Sequence, residues 1–376
     1  MRKRKGKNDV VRFFEKEWSS FLESIDDSSK VCILFDDDAD GVASASIVFK
    51  FLKETYSISP KIFPADWNAS TREKTIRRIK NSSCTHLFVL DIPNFTHAEE
   101  KSLKGVKVIV VDHHPPLSER PSNYINPRII KKDVYFPTSC IVYKLIKNKK
   151  YSWISSVGVL GDHGVEECKD VILDTKKLFP SFIPTSSIKD EILLDTTPLG
   201  RLTRITSNAI VLKGKKGCIT AVKAFDSVKS PWAILLGKSK YAKNLLEWNR
   251  KVEKEIKKIL REVEKSKIED DRVVVYTFRN RLKIKSIIAN ILARKNPKKV
   301  VLVAQLTGDK VNFSLRRGAG IRVNLNKLVS LLLKPIPNSS GGGHPEAAAG
   351  RIKKKYFRML LDNLFKEIKK ENNKSS

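Results

Sequence analysis

Short apolar runs alternate with helical patterns through the first 160 residues, and this alternation limits the possible folds more than any other feature. The runs Val31–Phe35, Leu87–Leu90 and Val106–Val111 are rich in β-branched residues and have the length of buried strands. A helical pattern at Ala43–Leu52 lies between the first two runs. Strands that alternate with helices form a parallel sheet covered by helices, so the sequence predicts an α/β fold.

A dense group of carboxylates follows the first predicted strand. Four of them lie within five residues, in the segment Asp36-Asp37-Asp38-Ala39-Asp40-Gly41. Like charges at this spacing repel one another, and a helix N-terminus supplies only about half a unit of compensating charge. This pattern favours bound cations. An acidic surface loop is the other interpretation, but it does not explain why the run directly follows a buried strand and ends in glycine.

Further residues able to bind metal follow the next two predicted strands. Asp91 follows the second strand, and Asp112, His113 and His114 follow the third. Open α/β sheets bind their ligands at the carboxyl ends of the strands, so we expect these side chains to lie near the acidic loop. Asp162, between two glycines of a later segment, is a fourth candidate; a turn carboxylate is its other interpretation.

The length and the later patterns indicate two domains. A chain of 376 residues exceeds what one hydrophobic core usually supports. From about Thr175 to Ser230, clusters of Pro, Ser, Thr and Gly predict a domain boundary or a long connection. Residues 240–267 carry apolar positions in steps of three and four, which predicts a long linker helix. A second α/β unit is predicted after it, with strands at Val273–Phe278, Val300–Leu306 and Val311–Leu315, and helices at Ile284–Lys295, Leu325–Leu333 and about Tyr356–Lys369.

The charge of the chain is concentrated in its second half. The net charge is +32; residues 1–200 hold 31 Lys and Arg against 27 Asp and Glu, whereas residues 201–376 hold 42 against 14. Lys and Arg neutralise phosphates and release their condensed counterions, so a polyanion is the natural partner of this half. A basic surface that is merely solvated is the other interpretation.

Cysteine usage and hydropathy exclude several classes of protein. The five cysteines are widely separated and form no C-x-x-C pair, which argues against a disulfide framework or a zinc knuckle. A reducing compartment, the cytoplasm, is therefore expected. No apolar run approaches the roughly 18 residues of a membrane span, so no membrane partner is expected. The basic start of the chain, Met1–Lys5, is interpreted as a frayed tail, and the absence of a glycine-rich triphosphate loop indicates that ATP is not required.

The order of the acidic and histidine motifs resembles the four-motif signature of the DHH phosphoesterases, and the RecJ-like nuclease branch in particular. The matching residues are Asp36-x-Asp38-x-Asp40-Gly41, Asp91, Asp112-His113-His114 and Gly161-Asp162. Aspartate at the first position resembles the RecJ form. Asn126-Pro127 and the stretch Pro137-Thr138-Ser139 are also similar to the family pattern.

The second half carries two further elements of the same resemblance. Ser314-Leu315-Arg316-Arg317 and the segment from Gly341 to Gly350 are similar to the signature of the DHHA1 domain that accompanies DHH catalytic domains. Gly341, Gly342 and Gly343 allow backbone amides to approach an anion, and Arg316 and His344 can donate charged hydrogen bonds to phosphate. We expect this run to open an alanine-rich helical segment; a flexible loop is the alternative.

The resemblance implies a two-metal site and assigns its residues. One ion, Mn²⁺ or alternatively Mg²⁺, would be held by Asp36, Asp38 and Asp91. The second would be held by Asp40, Asp91, His113 and Asp162, so that Asp91 bridges. His114 would contact the scissile phosphate, with Asp112 orienting a neighbouring imidazole, and the substrate would be bound by Arg316, Gly341, Gly342, Gly343 and His344.

The resemblance also implies a domain plan and a function. The plan is a basic N-terminal segment (1–25), a parallel-sheet DHH catalytic domain (26–235), a linker helix (236–268) and a smaller α/β DHHA1 substrate-binding domain (269–376). The implied function is a nuclease that degrades single-stranded DNA or RNA from an end, releasing 5′-mononucleotides, with replication or repair proteins as further partners. Alternatives are a short-oligonucleotide or cyclic-dinucleotide phosphodiesterase, a non-catalytic replication scaffold, and a polyphosphate or pyrophosphate hydrolase. Strand polarity and the choice between DNA and RNA stay open.

Overall fold

The computed structural model describes residues 10–65 and 70–372 and contains two compact units, residues 1–250 and 251–376. The first unit is built on a five-stranded sheet in which all neighbouring strands are parallel, in the order β2-β1-β3-β4-β5. Its strands are β1 (Val31–Asp36), β2 (Lys61–Ala65), β3 (His86–Leu90), β4 (Lys107–Val111) and β5 (Tyr124–Ile125). The predicted α/β fold is confirmed, because the three central strands are the three apolar runs of the sequence.

Helices cover both faces of this sheet. The helices between Glu15 and Val263 are α1 (Glu15–Glu23), α2 (Ala39–Tyr56), α3 (Arg72–Lys80), α4 (His97–Ser102), α5 (Thr138–Ile146), α6 (Ser152–Gly161), α7 (Lys169–Leu178), α8 (Asp190–Thr196), α9 (Pro198–Lys213), α10 (Lys215–Asp226), α11 (Pro231–Leu235) and α12 (Lys240–Val263), and the last of them includes residues of both units. Strand alternation separates the two cores: Ile33 and Phe35 pack in the larger one, whereas Cys32 and Leu34 pack beneath α3 in the smaller one.

The prediction of a boundary or long connection between Thr175 and Ser230 is wrong, because helices α8 to α10 occupy most of this segment and pack into the larger core. The polar clusters mark the starts of helices instead. Thr197 caps α9 by accepting from the backbone of Gly200, with proline at the first helical position, and Ser230 caps α11 before Pro231 in the same way. Serine, threonine and proline are favoured at these positions, so they separate helices here and not domains.

The N-terminal segment contributes to the first unit. Residues 1–9, which include the predicted basic tail, lie outside the described part of the chain. Helix α1 follows a short 3₁₀ turn, and its Trp18 and Phe21 pack edge-on against Phe88 of β3, with ring centroids 5.7 and 5.0 Å apart.

The second unit is a six-stranded mixed sheet in the order β10-β11-β9-β8-β7-β6. Its strands are β6 (Ile268–Glu269), β7 (Val273–Arg279), β8 (Val300–Thr307), β9 (Lys310–Arg317), β10 (Ser340–Gly343) and β11 (Ala347–Lys353), and its helices are α13 (Lys285–Lys295), α14 (Leu325–Leu333) and α15 (Phe357–Asn372). Strands β7 and β8 are parallel and the other neighbours are antiparallel. No helix in the described part of the chain is long and apolar enough to span a membrane.

The prediction of a helix after the glycine run is wrong, because the alanine-rich segment is strand β11 and forms a hairpin with β10. Alanine favours helices, but packing overrides that preference here. A Cβ atom at Gly350 would lie 2.4 Å from Cζ of Phe313 in β9, so the segment needs small residues to lie flat against the neighbouring strand.

Candidate functional site

The acidic loop turns tightly between β1 and α2 at the carboxyl edge of the first sheet. Asp36 is the last residue of β1, and Asp38 caps α2 by accepting a 2.8 Å hydrogen bond from the backbone N–H of Gly41. A Cβ atom at Gly41 would lie 2.4 Å from the carbonyl oxygen of Asp36. Glycine is therefore required for the turn that brings Asp36 and Asp38 to the same edge.

Asp40 is held by the N-terminus of α5. Its carboxylate accepts from the backbone N–H groups of Thr138 at 2.5 Å and Ser139 at 3.1 Å, the favourable position for an anion at a helix start. Helix α6 packs directly on this contact: a Cβ atom at Gly158 would lie 2.3 Å from Ser139 Oγ and 2.6 Å from Asp40 Oδ1. The sequence indicated Thr138 and Ser139 only as part of a stretch that is similar to the family pattern and did not predict their contact with Asp40. Gly158 was not predicted as a supporting residue, although a glycine within a helical pattern is a visible signal.

Asp91 follows β3 with a left-handed backbone, at φ +61°. Its N–H donates to the carbonyl of Val111 at 2.9 Å, and its Oδ1 accepts from the Thr138 hydroxyl at 3.0 Å. Aspartate and asparagine tolerate this conformation better than most residues. The buried carboxylate is therefore fixed from both its backbone and its side chain.

His113 lies between two of these carboxylates. Its Nε2 is 3.3 Å from Oδ1 of Asp91 and 3.4 Å from Oδ2 of Asp162. Burial, together with the neighbouring His114, lowers the pKa of His113 to about 3, so the ring is neutral at pH 7 and these contacts are not ion pairs. Its buried Nδ1 has no hydrogen-bond partner among the described residues.

Asp162 caps the C-terminal end of α6, and Tyr135 holds it in place. The Tyr135 hydroxyl donates to Asp162 Oδ2 at 2.5 Å and to its carbonyl at 3.0 Å, and the Tyr135 ring packs edge-on to His113 with centroids 5.1 Å apart. The guanidinium of Arg128 lies 5.8 Å from the centre of the same ring. Tyr135 and Arg128 were not predicted as residues of the site, because neither belongs to a sequence motif.

His114 points to a different set of partners. Its Nδ1 lies 2.8 Å from Oδ1 of Asp112, whose Oδ2 accepts from the Tyr124 hydroxyl at 3.1 Å. Buried Asn126 donates to the His114 carbonyl and to Tyr124, both at 2.9 Å. Burial acts to lower the pKa of His114, but the hydrogen bond and the charge of Asp112 outweigh it and raise this pKa above its ordinary value.

Several carboxyl groups of this region have pKa values above the ordinary range for aspartate. Burial, then the charges of Asp38 and Asp37, raise the pKa of Asp36 to about 8. Burial and Asp38 raise the pKa of Asp162 to about 7. The pKa values of buried Asp40 and Asp91 also lie well above the ordinary range, because of burial first and neighbouring carboxylates second. Neighbouring carboxyl groups are thus packed together here without enough cationic side chains to keep all of them ionised.

The geometry groups these side chains into three sets that could each hold a metal ion. Within each set the ligand atoms lie within 4.8 Å of one another; the sets are Asp36, Asp38 and Asp91; Asp40, His113 and Asp162; and Asp91, His113 and His114. Carboxylate oxygens with one or two imidazoles suit Mn²⁺ or Mg²⁺. The structure therefore brings together all six residues expected to bind metal, and Asp91 belongs to two of the sets. Their individual roles stay predictions.

The expected substrate-binding residues come together on the second unit. Arg316 in β9 lies opposite Ala347 of β11, and His344 is joined to Ala347 by backbone hydrogen bonds of 2.8 and 3.3 Å. Directly opposed residues project to the same face of a sheet, so Arg316 and His344 share one face. The Arg316 Nε donates to Oδ1 of Asn290 in α13 at 2.5 Å.

The three glycines before His344 differ in their surroundings. A Cβ atom would lie 2.6 Å from a Leu333 methyl at Gly341 and 2.3 Å from the Ala347 carbonyl at Gly343, where φ is +153°. At Gly342 the nearest atom, an Asn326 oxygen, is 3.8 Å away. Packing therefore requires glycine at 341 and 343, whereas position 342 leaves open space.

Two protein-family models match this chain, one in each unit. The model described as "DHH family, N-terminal domain" matches residues 30–163, and the "DHHA1 domain" matches residues 270–373. Together they account for well over half of the chain. The chain belongs to the DHH/DHHA1 superfamily. The fold of this superfamily's phosphoesterases is thereby established, and the resemblance inferred from the sequence motifs is confirmed.

Solved structures show the same fold at low sequence identity. A RecJ from Thermus thermophilus in complex with Mn²⁺ superposes with a TM-score of 0.68 at 15% identity, covering 96% of this chain and 54% of that one. An exonuclease RecJ bound to manganese gives 0.64 at 14%, covering 96% and 93%. CDC45 from Entamoeba histolytica gives 0.53 at 9%, covering 95% and 98%. The chain thus spans about half the length of the Thermus protein. No curated protein sequence matches it.

Proposed function

We propose that the protein is a metal-dependent exonuclease that hydrolyses phosphodiester bonds of single-stranded nucleic acid and releases 5′-mononucleotides. One observation carries the proposal: Asp91 belongs to two groups of potential metal ligands at the carboxyl edge of the first sheet. A shared carboxylate suits two adjacent cations, the arrangement that serves phosphoryl transfer in many nucleases.

Two divalent cations fit the donor set. One would be held by Asp36, Asp38 and Asp91, which form one of the three sets. The other would be held by Asp40, His113 and Asp162, which form another, together with Asp91, whose Oδ1 lies 3.3 Å from Nε2 of His113. The raised pKa values support this assignment, because cations would stabilise the ionised carboxylates that burial disfavours. When bound, such ions supply Lewis-acid polarisation of the phosphate and a nucleophile derived from water at neutral pH.

The side chains around the ligands have complementary roles in the proposal. His114, oriented by its 2.8 Å contact with Asp112, donates a hydrogen bond to a non-bridging oxygen of the scissile phosphate and so stabilises its developing charge. Tyr135 holds Asp162 by donating to its Oδ2 and to its backbone carbonyl, and Thr138 holds Asp91 by donating to its Oδ1. These hydrogen bonds fix the carboxylates before the substrate arrives.

The second unit binds the strand in the proposal. Arg316 and His344 lie on one face of its sheet and supply hydrogen-bond donors for phosphate, while Gly342 leaves room for close approach. The concentration of positive charge after residue 200 supports a polyanionic substrate.

The test is digestion of end-labelled DNA and RNA, from dinucleotides to long strands, with Mn²⁺ and with EDTA. We expect metal-dependent release of mononucleotides from one end, and an Asp91→Asn variant purified in parallel should be inactive. Undiminished cleavage in EDTA would rule out the metal assignment. Cleavage of dinucleotides alone would instead indicate a short-oligonucleotide phosphodiesterase, and hydrolysis of tripolyphosphate but of no strand would indicate a polyphosphatase.

A further inference from the structure

Three cationic side chains gather on one face of the C-terminal sheet. Lys285 is the first residue of α13, which packs on this face, and its Nζ lies 3.3 Å from Oγ of Ser314 in β9. Arg316 follows on β9. Arg351 of β11 lies directly opposite Asn312 and projects to the same face as Ser314 and Arg316. The cluster therefore extends beyond Arg316 to two residues that no sequence motif includes.

Neutral groups orient all three cations. Lys285 approaches the Ser314 hydroxyl, Arg316 donates to the Asn290 side chain, and the Nε of Arg351 donates to Oδ1 of Asn312 at 2.8 Å. None of the three forms an ion pair with a carboxylate in the described part of the chain. An amide or hydroxyl acceptor fixes the direction of a cation and leaves its charge uncompensated, which is the state expected of an anion-binding site.

The cations also act on one another. Burial, then the charges of Arg316 and Arg351, lower the pKa of the Lys285 ammonium. The repulsion that this reflects would be relieved by a bound anion. Helix α13 adds to the attraction, because it begins at Lys285 without a side-chain cap and its first N–H groups carry partial positive charge.

The floor between these cations is made of small residues. Ala347 and Ala349 of β11 project to this face beside Gly342, which lies opposite Ala349. Ser314 and Asn312 are two residues apart on β9, so the groups that orient Lys285 and Arg351 lie about 7 Å apart. The surface between the cations therefore carries only small side chains, and Lys285 and Arg351 contact successive same-face positions of β9.

We propose that Lys285 and Arg351 form a second phosphate subsite, so that the C-terminal unit holds at least two consecutive phosphates of a nucleic-acid strand. Arg316 and His344 hold the first, and Lys285 and Arg351 hold the next. The inference rests on the proposed function and deepens it, because it assigns a preference for strands longer than a dinucleotide to two named residues.

The experiment measures binding by calorimetry with the full-length protein in EDTA, so that no substrate is consumed. The ligands are unlabelled 5′-hydroxyl oligonucleotides of increasing length from the dinucleotide, which has a single phosphate, together with linear tripolyphosphate. Lys285→Ala and Arg351→Ala should each weaken binding of trinucleotides and longer strands roughly tenfold, the effect of one lost charged hydrogen bond, and leave dinucleotide binding unchanged. The slope of log Kd against log salt should fall by about 0.7 per lost phosphate contact.

Two controls accompany these variants. Lys327→Ala removes the same charge from α14, which packs on the opposite face of the sheet, and should bind every ligand as the unaltered protein does. Arg351→Lys keeps the charge and should retain most of the affinity for longer strands. Unchanged thermal unfolding of each variant would confirm that the fold is intact.

Equal affinity of the Lys285→Ala and Arg351→Ala proteins for all lengths, matching the unaltered protein, would overturn the inference. An equal loss for dinucleotides and longer strands would overturn it as well, because the two residues would then serve the first phosphate. Tripolyphosphate that binds as tightly as the trinucleotide would overturn the assignment to nucleic acid. Failure of the proposed function is seen separately, as absence of metal-dependent cleavage by the unaltered protein.

Discussion

The hydroxyl of Thr138 donates a 3.0 Å hydrogen bond to Oδ1 of Asp91, while the backbone N–H of Thr138 donates to Asp40. One residue at the start of α5 thus orients two carboxylates that belong to different ligand sets. Thr138→Val keeps the shape of the side chain and removes the hydroxyl, so Mn²⁺ affinity should fall about 10- to 100-fold. Thr138→Ser should restore it. Calorimetric titration of Mn²⁺ checks both, and equal affinities in all three proteins would contradict the role.

Asp91→Asn should abolish turnover, by more than about 100-fold, without unfolding the protein. Asparagine tolerates the left-handed backbone at this position. Asp91 belongs to two of the three sets of potential metal ligands, and the substitution removes its carboxylate charge from both of them. Asp37→Asn is the matched control, because Asp37 lies beside Asp36 and belongs to none of the three sets. Single-turnover rates on a labelled strand measure the difference. Equal, mild losses in both variants would mean that the loop is assigned incorrectly.

Tyr135→Phe and Tyr124→Phe separate metal binding from phosphate contact. The first removes a donor to Asp162 and should weaken Mn²⁺ binding about tenfold or more. The second removes a donor to Asp112, the partner of His114, and should lower kcat while Mn²⁺ affinity is retained. Metal titration combined with steady-state kinetics distinguishes the two. Identical profiles would show that the two tyrosines act through the same group.

The metal-free protein should lose stability as the pH rises from about 4 to 8. The pKa values of Asp36, about 8, and Asp162, about 7, are raised above those of the unfolded chain, which therefore releases its protons first and is favoured as pH increases. Mn²⁺ binds the ionised carboxylates and should stabilise mainly at the upper end, by about 2.7 kcal/mol at a hundred times its Kd. Thermal unfolding at pH 5 and pH 8, with EDTA or Mn²⁺, tests this; a larger metal effect at pH 5 would contradict it.

Gly343→Ala should lower the stability of the protein, whereas Gly342→Ala should weaken its binding of the strand. A Cβ atom at 343 clashes with the Ala347 carbonyl in a backbone region that side chains avoid, so we expect a loss of about 1–3 kcal/mol in unfolding free energy. At 342 the Cβ atom has room, so stability should be kept while KM for the strand rises. Denaturant unfolding and kinetics on the same preparations measure both. Normal kinetics in a stable Gly342→Ala protein would mean that the three glycines serve only the fold of β10 and not the binding of the substrate.

The central strands and the acidic and histidine side chains could be predicted because each signal is local. Continuous apolar runs mark β1, β3 and β4, and the residues that follow them must meet at one edge of a parallel sheet. The edge strand β2 was not predicted, since it begins with Lys61 and includes Pro64, which interrupts its apolar run. Strand β11 was predicted as a helix, since nothing local reveals that Phe313 packs against Gly350.

The supporting residues of the site could not be predicted in the same way. Thr138 and Asp40 are 98 residues apart in the chain, and Tyr135 and Asp162 are 27 apart. Such contacts depend on the packing of α5 and α6 against the sheet, which no spacing in the sequence encodes. A family resemblance identifies the ligands, whereas the groups that hold them are seen only in the folded structure.

The absence of a side chain at Gly158 has a practical consequence for interpreting relatives of this protein. Helix α6 can approach Asp40 and Ser139 only because that position is bare, so a single methyl group there would push apart the helix and the carboxylate. A chain could then retain every acidic and imidazole residue and still be inert. Inventories that judge whether a homologue is active by its ligands alone would count such a protein as an enzyme.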